Sequence, residues 1–464
     1  MTAPEDILQR LNSADPEAVP EWVEKRYLAE LITPMYGGGR FARQTDARHP
    51  FRGKGIKHGL RFWWRLLAEA GVLPGQAAAW TGRKLYEEEC SRFGGRSVNG
   101  EPVASVVRVC STSEGSGWAQ PSEDQGDWNQ VPTYVHGLLG KGAKRGPVTL
   151  CASSDLRIRI RADREADLRA EIDQATRWWS QFGGVGSRTR RGMGSLRLTL
   201  RGEGVQADPG GAFKPINHDE AARAGCLLVQ RPANSNSLLA WEDCMGRFAR
   251  FRREGQSTKS RSHWPEPNLL RSLVALLGPI AGQTPTTAAD EELPAHTAAY
   301  ALVMPRSAYG LPIVGNRLAP AGHVKREDTL GSFRILPADG DRMASPLIFR
   351  IRPVPGGQGF EAVVLLLPQR FRDEALSMPL RVYLMPVANR RTPPDPPPAP
   401  PGEKRKTPPR AMLAERQLPG PAVGTLQSWN CEDANLPSRV PPIRRNAPGT
   451  TDPLTAAMVV LAKP

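Results

Sequence analysis

Long apolar runs are missing from this sequence. The two longest, LLRSLVALLG at Leu269–Gly278 and AVVLLLP at Ala362–Pro368, fall far short of the roughly 20 residues that a membrane-crossing helix needs, so no segment is expected to span a bilayer. Clustered cysteine is missing too. Cys90, Cys110, Cys151, Cys226, Cys244 and Cys431 form no CxxC pair and no Cys/His group, which leaves neither a zinc framework nor a disulfide scaffold to expect. No G-K-[ST] follows any glycine-rich stretch, which excludes a P-loop. The opening MTAPEDILQR is acidic and polar where a secretion signal would be basic and then apolar, so export is not expected and a cytoplasmic location is. Acids are scarce: 62 Lys and Arg face 47 Asp and Glu, for a net charge of +15 and a pI near 9.9. That balance favours a polyanionic partner, either nucleic acid or an anionic membrane surface.

At 464 residues the chain is too long for one ordinary core, and two domains with connecting material are expected. After a lead-in over 1–25, YLAELITPMY reads as a strand, IKHGLRFWWRLLAEAG as a helix, DLRIRIRA as a strand, EADLRAEIDQATRWWSQF as a helix and SLRLTL as a strand. A long stretch rich in Gly, Ser, Asn and Asp interrupts them. This order suits an α+β sandwich of the ferredoxin-like (RRM-like) kind over 26–205. A second, divergent domain of the same class is expected over 206–390, with CLLVQ, HTAAYALVMP, SPLIFRIRPV and FEAVVLLLP as strands and LLAWEDCMGRFARFRREG as a helical insertion. The fold expected is thus two ferredoxin-like domains in tandem with loop insertions. Proline is 45 of 464 residues and concentrates in TPPDPPPAPPGEKRKTPPR, so 391–464 reads as a stiff linker and a tail.

Two segments combine glycine with unbalanced positive charge. In the first, Gly37, Gly38 and Gly39 precede eight basic residues and one acid, Asp46, up to Arg65. Glycine amides approach phosphates closely, and Arg40, Arg52 and Lys54 add cations around them. At about 100° per residue, Ile56, Leu60, Trp63, Trp64 and Leu67 share one helix face, while Lys57, Arg61 and Arg65 form a basic stripe expected to look outward. Gly71 sits where the helix should stop. The second segment, GGVGSRTRRGMGSLRL at Gly183–Leu198, holds five glycines and four arginines and no acid. It follows a helix and leads into a strand, the reverse of a dinucleotide fingerprint. Its expected use is to track a phosphate backbone with Arg188, Arg190 and Arg191, and with the amides of Gly192 and Gly194.

These motifs together resemble the RAMP superfamily of CRISPR proteins, whose glycine-rich loop has the form G-x-G-x-x-x-x-x-G-x-G. Gly184, Gly186, Gly192 and Gly194 fill that pattern. More narrowly, TPMYGGG, IKHGLRFWWR, FGGVGSRTRRGMGSL, SRSHWPEPNLLR, YGLP and DRMASPLIFRI are similar to segments of the first RAMP subunit of type III-B, or Cmr, effector complexes. His58 stands where that family has glycine, and Asn268 where an acid is expected. The resemblance implies a non-catalytic subunit of a ribonucleoprotein in antiviral defence. Such a subunit contacts the 3′ part of the CRISPR RNA, helps engage target RNA, and has other RAMP subunits as partners. No cofactor, no metal and no membrane partner are expected.

His49 and His58 carry the alternative, a metal-independent RAMP endoribonuclease that processes CRISPR RNA by acid/base transfer. Asp46, His263 and Glu266 read as structural or interface residues. No carboxylate or second base converges on either histidine by spacing.

Overall fold

The computed structural model describes residues 20–37, 51–112, 119–121, 131–136, 148–202, 213–253, 308–311, 313–318, 331–337, 340, 342–356, 359–377, 380–386, 415–418 and 453–463. Its architecture is mixed α/β with antiparallel sheets. The strand expected at HTAAYALVMP and the Pro-rich segment lie outside the described residues. Among the described residues, no helix is long and apolar enough to cross a membrane.

The chain groups into two compact units, Met1–Asp243 with Phe349–Val363, and Cys244–Ile348 with Val364–Pro464. In the first, β1 (Trp22–Leu31), β2 (Met35–Tyr36), α1 (Gly53–Ala70), α2 (Gly82–Phe93), β3 (Val107–Thr112), β4 (Val148–Arg161), α3 (Glu165–Phe182) and β5 (Leu196–Arg201) follow one another. β4 is the spine of a six-stranded sheet: β1 and then β2 pair along one side of it, β3 and then the short strand Ala119–Pro121 pair along the other, and β5 closes the edge beyond β1. All of these pairings are antiparallel, giving the order β3, β4, β1, β5.

YLAELITPMY is not one strand. Pro34 has no N–H to give the ladder, and the chain breaks over Ile32–Pro34 into β1 and the short β2. The two long helices match their sequence periods. α1 buries Ile56, Leu60, Trp63, Trp64 and Leu67, and Gly71 ends it at φ +71° with its N–H on the Ala68 carbonyl. α3 buries Leu168, Ile172, Ala175, Trp179 and Phe182. The rings of Trp63, Trp178 and Phe182 lie 5.4–5.8 Å apart, offset or tilted as aromatic packing prefers. α2 was not expected from the sequence. Its apolar face is short, Leu85, Cys90 and Phe93, and charge holds much of the rest. Arg92, buried between Trp64 and Trp80 at 5.0 and 5.3 Å from the ring centres, meets Glu171 of α3 at 2.8 Å and Glu88 at 2.5 Å.

The first unit also holds strand Leu227–Gln230, and its Phe349–Val363 segment supplies most of the strand pair Leu347–Pro353 and Phe360–Leu366. Helix Ser237–Arg253 begins in it.

The second unit contains a four-stranded antiparallel sheet ordered Ile313–Leu318, Gly331–Pro337, Leu380–Pro386, Glu415–Leu418. Tyr309 of the YGLP segment is buried edge-on to Phe248 and Phe251, with ring centres at 5.4 and 6.0 Å. The last residues depart from the expected tail. Pro453–Ala462 is a helix that buries Leu454, Ala457, Met458 and Leu461, and Arg247 donates to the Lys463 carbonyl at 3.3 Å beyond its end.

Candidate nucleic-acid interface

The two glycine and arginine segments meet, though about 150 residues separate them in sequence. Ser187 N–H donates to the Tyr36 carbonyl at 2.8 Å, and a Cβ on Gly37 would lie 3.6 Å from Ser187 Oγ. Gly37 thus brings the start of the first segment onto the tip of the second. Gly38, Gly39, Arg40, Asp46 and His49 lie outside the described residues.

The backbone of the Gly183–Ser195 loop follows its glycines. Gly186, Gly192 and Gly194 have φ of +77°, +87° and +61°, where a side chain is strained. The space around them is also closed. A Cβ on Gly192 would come 2.3 Å from Trp241 Nε1, and one on Gly194 would come 2.0 Å from the Val185 carbonyl oxygen. The amides turn inward. Gly194 N–H donates to Pro34 O at 2.9 Å and Gly192 N–H to Thr189 O at 3.0 Å. This corrects the expectation that these two amides meet phosphates, because both are already committed to backbone carbonyls.

Side chains lock the loop from beneath. Thr33 Oγ1 donates to Gly192 O at 2.6 Å and accepts from Ser195 N–H at 2.9 Å. Arg350, 1% exposed, donates to the Met193 and Gly194 carbonyls at 3.1 and 3.3 Å. No carboxylate faces it among the described residues, and burial pushes its pKa down to about 9. A guanidinium solvated only by carbonyls fixes the loop by hydrogen bonding, not by ion pairing.

The arginines of the loop part ways. Arg188 is exposed at φ +61°. Arg190 is half-buried, its guanidinium 5.9 Å from the Phe62 ring of α1. Arg191 is 8% exposed, 5.5 Å from the Phe349 ring, and its carbonyl accepts from Trp241 Nε1 at 2.8 Å. Arg191 is therefore a packing residue and leaves the expected phosphate-facing set.

On α1 the expected stripe is not free. Arg61 and Arg65 both pair with Glu89 of α2, Arg65 at 2.9 Å, and that carboxylate is 2% exposed. Lys57 donates to Ser105 Oγ at 2.7 Å. Burial first, then the charges of Arg61 and Arg108, hold its pKa below the ordinary lysine value. The sequence signal for this pairing was the EEE run at Glu87–Glu89, an acid cluster just after a basic one. Sharing one carboxylate between two arginines leaves N–H groups on each with room for a second anion.

Arg52 and Lys54 are exposed at the start of α1, where the first turn carries no acid. Two cations at the positive pole of a helix are unfavourable unless an anion joins them. His58 is exposed beside the stripe, and no described carboxylate hydrogen-bonds to it.

Residues 28–197 match the family model described as RAMPs, the RAMP superfamily. No curated protein matches. Among solved structures, Cmr1 from Pyrococcus furiosus in its apo form aligns at 16% identity and a TM-score of 0.40, over 74% of this chain and 87% of that one. A type III-B Cmr-beta complex bound to cognate target RNA and AMPPnP contributes a chain at 11% identity and a TM-score of 0.31, over 76% and 98%. A type IV-B CRISPR complex contributes one at 15% and 0.24, over 42% and 96%. The matched segment runs from β1 through the closed glycine loop into β5, and the G-x-G-x-x-x-x-x-G-x-G pattern falls within it, so residues 28–197 of this chain are a RAMP-superfamily domain.

Proposed function

We propose that the chain is a non-catalytic, RNA-binding subunit of a type III-B CRISPR effector complex, similar to the first RAMP subunit of Cmr assemblies. It contacts the 3′ part of the CRISPR RNA and helps engage target RNA, with other RAMP subunits as neighbours. The observation that carries this reading is the junction of the two basic glycine segments at Tyr36, Gly37 and Ser187. The junction sets exposed Arg188 and half-buried Arg190 at the rim of one rigid loop, and Arg190 links that loop to α1 through Phe62. Arg52, Lys54, Lys57, Arg61 and Arg65 continue the positive surface along α1.

The ferredoxin-like reading of the first domain rests on the β-α-β-β-α-β succession of β1, α1, β3, β4, α3 and β5, to which β2 and α2 are additions, and on the antiparallel order β3, β4, β1, β5. A second such domain over 206–390 is proposed on the family resemblance.

RNA held mainly by phosphate contacts binds with strong salt dependence. Replacing Arg188 and Arg190 together by Ala is expected to reduce the slope of log K against log salt by about 1 to 2, read by anisotropy with single-stranded RNA. An unchanged slope removes the loop from the RNA path. RNA cleavage that persists in EDTA and is lost in His58→Ala or His49→Ala would move the reading to the nuclease.

A further inference from the structure

The face of the first sheet opposite α1 and α3 takes no part in the interface proposed above. Strand alternation sends Tyr27, Ala29, Leu156, Ile158 and Leu198 into the core, and arginines outward. Register then places like charges side by side. Arg157, Arg26 and Arg201 are direct cross-strand neighbours on β4, β1 and β5. Arg108 and Arg159 form the next rung on β3 and β4. Neighbouring strands lie about 4.8 Å apart, and like charges directly opposite one another destabilise a sheet.

Carboxylates relieve part of this repulsion. Asp155 accepts from Arg157 at 2.8 Å and Arg26 at 2.9 Å, and Glu24 accepts from Arg159 at 2.5 Å. Burial alone would raise the Asp155 pKa, but those two guanidinium hydrogen bonds outweigh it and hold the carboxyl below its usual range. Arg108 and Arg201 are exposed and make no ion pair among the described residues. Among the described residues, two rungs of five arginines thus face two carboxylates, Asp155 and Glu24, across this sheet. At one edge the Arg108 guanidinium lies 4.2 Å from the Trp22 ring centre.

We propose that this sheet face is a second nucleic-acid-binding surface, taking the backbone of single-stranded RNA along the arginine rungs. Guanidinium forks repeating at about 6.7 Å along a strand offer a regular series of phosphate sites. The Trp22–Arg108 stack offers a platform for a base. An acidic protein would need apolar anchors, and beyond Trp22 the face offers little more than Leu28. The surface is continuous with the start of α1: a Cβ on Gly53 would meet the Val109 carbonyl at 2.5 Å, so Arg52 and Lys54 adjoin the edge strand that bears Arg108.

The proposal shares the RNA partner of the preceding reading but not its residues, so the two can fail separately. The test measures binding of fluorescein-labelled oligouridylate to the full chain over a salt series. Arg108→Ala with Arg201→Ala is expected to lower the log–log slope by about 1.4, roughly 0.7 for each single-strand phosphate no longer neutralised, with an unchanged unfolding midpoint. Glu24→Gln is expected to tighten binding, a gain that a folding defect does not produce. A wild-type slope in the Arg108/Arg201 variant overturns the sheet proposal. If Arg188→Ala with Arg190→Ala still lowers the slope, the loop reading survives that result, and if neither pair does, both fall. Labelled polyglutamate that binds through Arg108 and Arg201, with RNA binding unaffected, also overturns the proposal and makes the partner an acidic protein.

Discussion

Gly194→Ala is expected to destabilise the first unit by about 3 kcal/mol or more, combining left-handed backbone strain with a steric clash. Gly194 has φ +61°, and the added Cβ would press 2.0 Å from the Val185 carbonyl oxygen. That oxygen is backbone within the same closed loop, where Val185 N–H also donates to Gly194 O at 3.1 Å. Relief requires the loop to open, which breaks the bonds to Pro34, Thr33 and Arg350 as well. Thermal unfolding measures the effect, and Gly55→Ala is the control. Gly55 lies in α1 with nothing within 4 Å of its would-be Cβ, so that change is expected to stabilise by about 0.5–1 kcal/mol. Equal midpoints for the two variants would mean that the loop is not closed as described.

Glu171→Ala is the second large loss. The carboxylate accepts from Arg92 at 2.8 and 3.1 Å and from Trp64 Nε1 at 3.0 Å. Removing it leaves a buried guanidinium and a buried indole N–H without their shared acceptor. Breaking one side of a buried ion pair costs about 3–5 kcal/mol, and since Arg92 keeps Glu88, the lower end is expected. For a unit of this size that is a fall in unfolding midpoint of about 6–12 °C. Glu171→Gln keeps one acceptor for the indole and is expected to lose less. A midpoint unchanged in Glu171→Ala would show that Glu88 and the two tryptophan rings hold Arg92 unaided.

Much of the first unit was legible in the sequence, because its two long helices each hold a continuous apolar stripe and β4 alternates strictly through DLRIRIR. The helix stop at Gly71 was legible for the same reason: the apolar period ends there and only glycine suits the turn. What stayed hidden was decided by tertiary partners. α2 is written GRKLYEEECSRF, too charged to look like a core helix, and it stands because Glu89 and Arg92 meet residues from α1 and α3. Arg190 and Arg191 are adjacent and chemically identical, yet one is half-buried and the other is packed against Phe349. Only the position of the distant strand Leu347–Pro353 separates them.

The glycine loop was recognised by spacing, but its purpose was not. Spacing marks positions that tolerate no side chain, and it leaves open whether a ligand or the protein itself fills the space. Here Trp241, Val185 and Arg350 fill it. The stripe Lys57, Arg61 and Arg65 reads from the sequence as facing outward, and the acid that meets it, Glu89, belongs to an EEE run whose charge is visible in sequence but whose partner is not.

The most direct measurement is photocrosslinking of single-stranded RNA carrying thiouridine to the full chain, followed by peptide mapping. Crosslinks at the Gly183–Ser195 loop and along Gly53–Ala70, competed away by rising salt, are the expected result. RNA that crosslinks only outside residues 28–197, or not at all, would contradict the RAMP domain as the RNA-binding part of this chain.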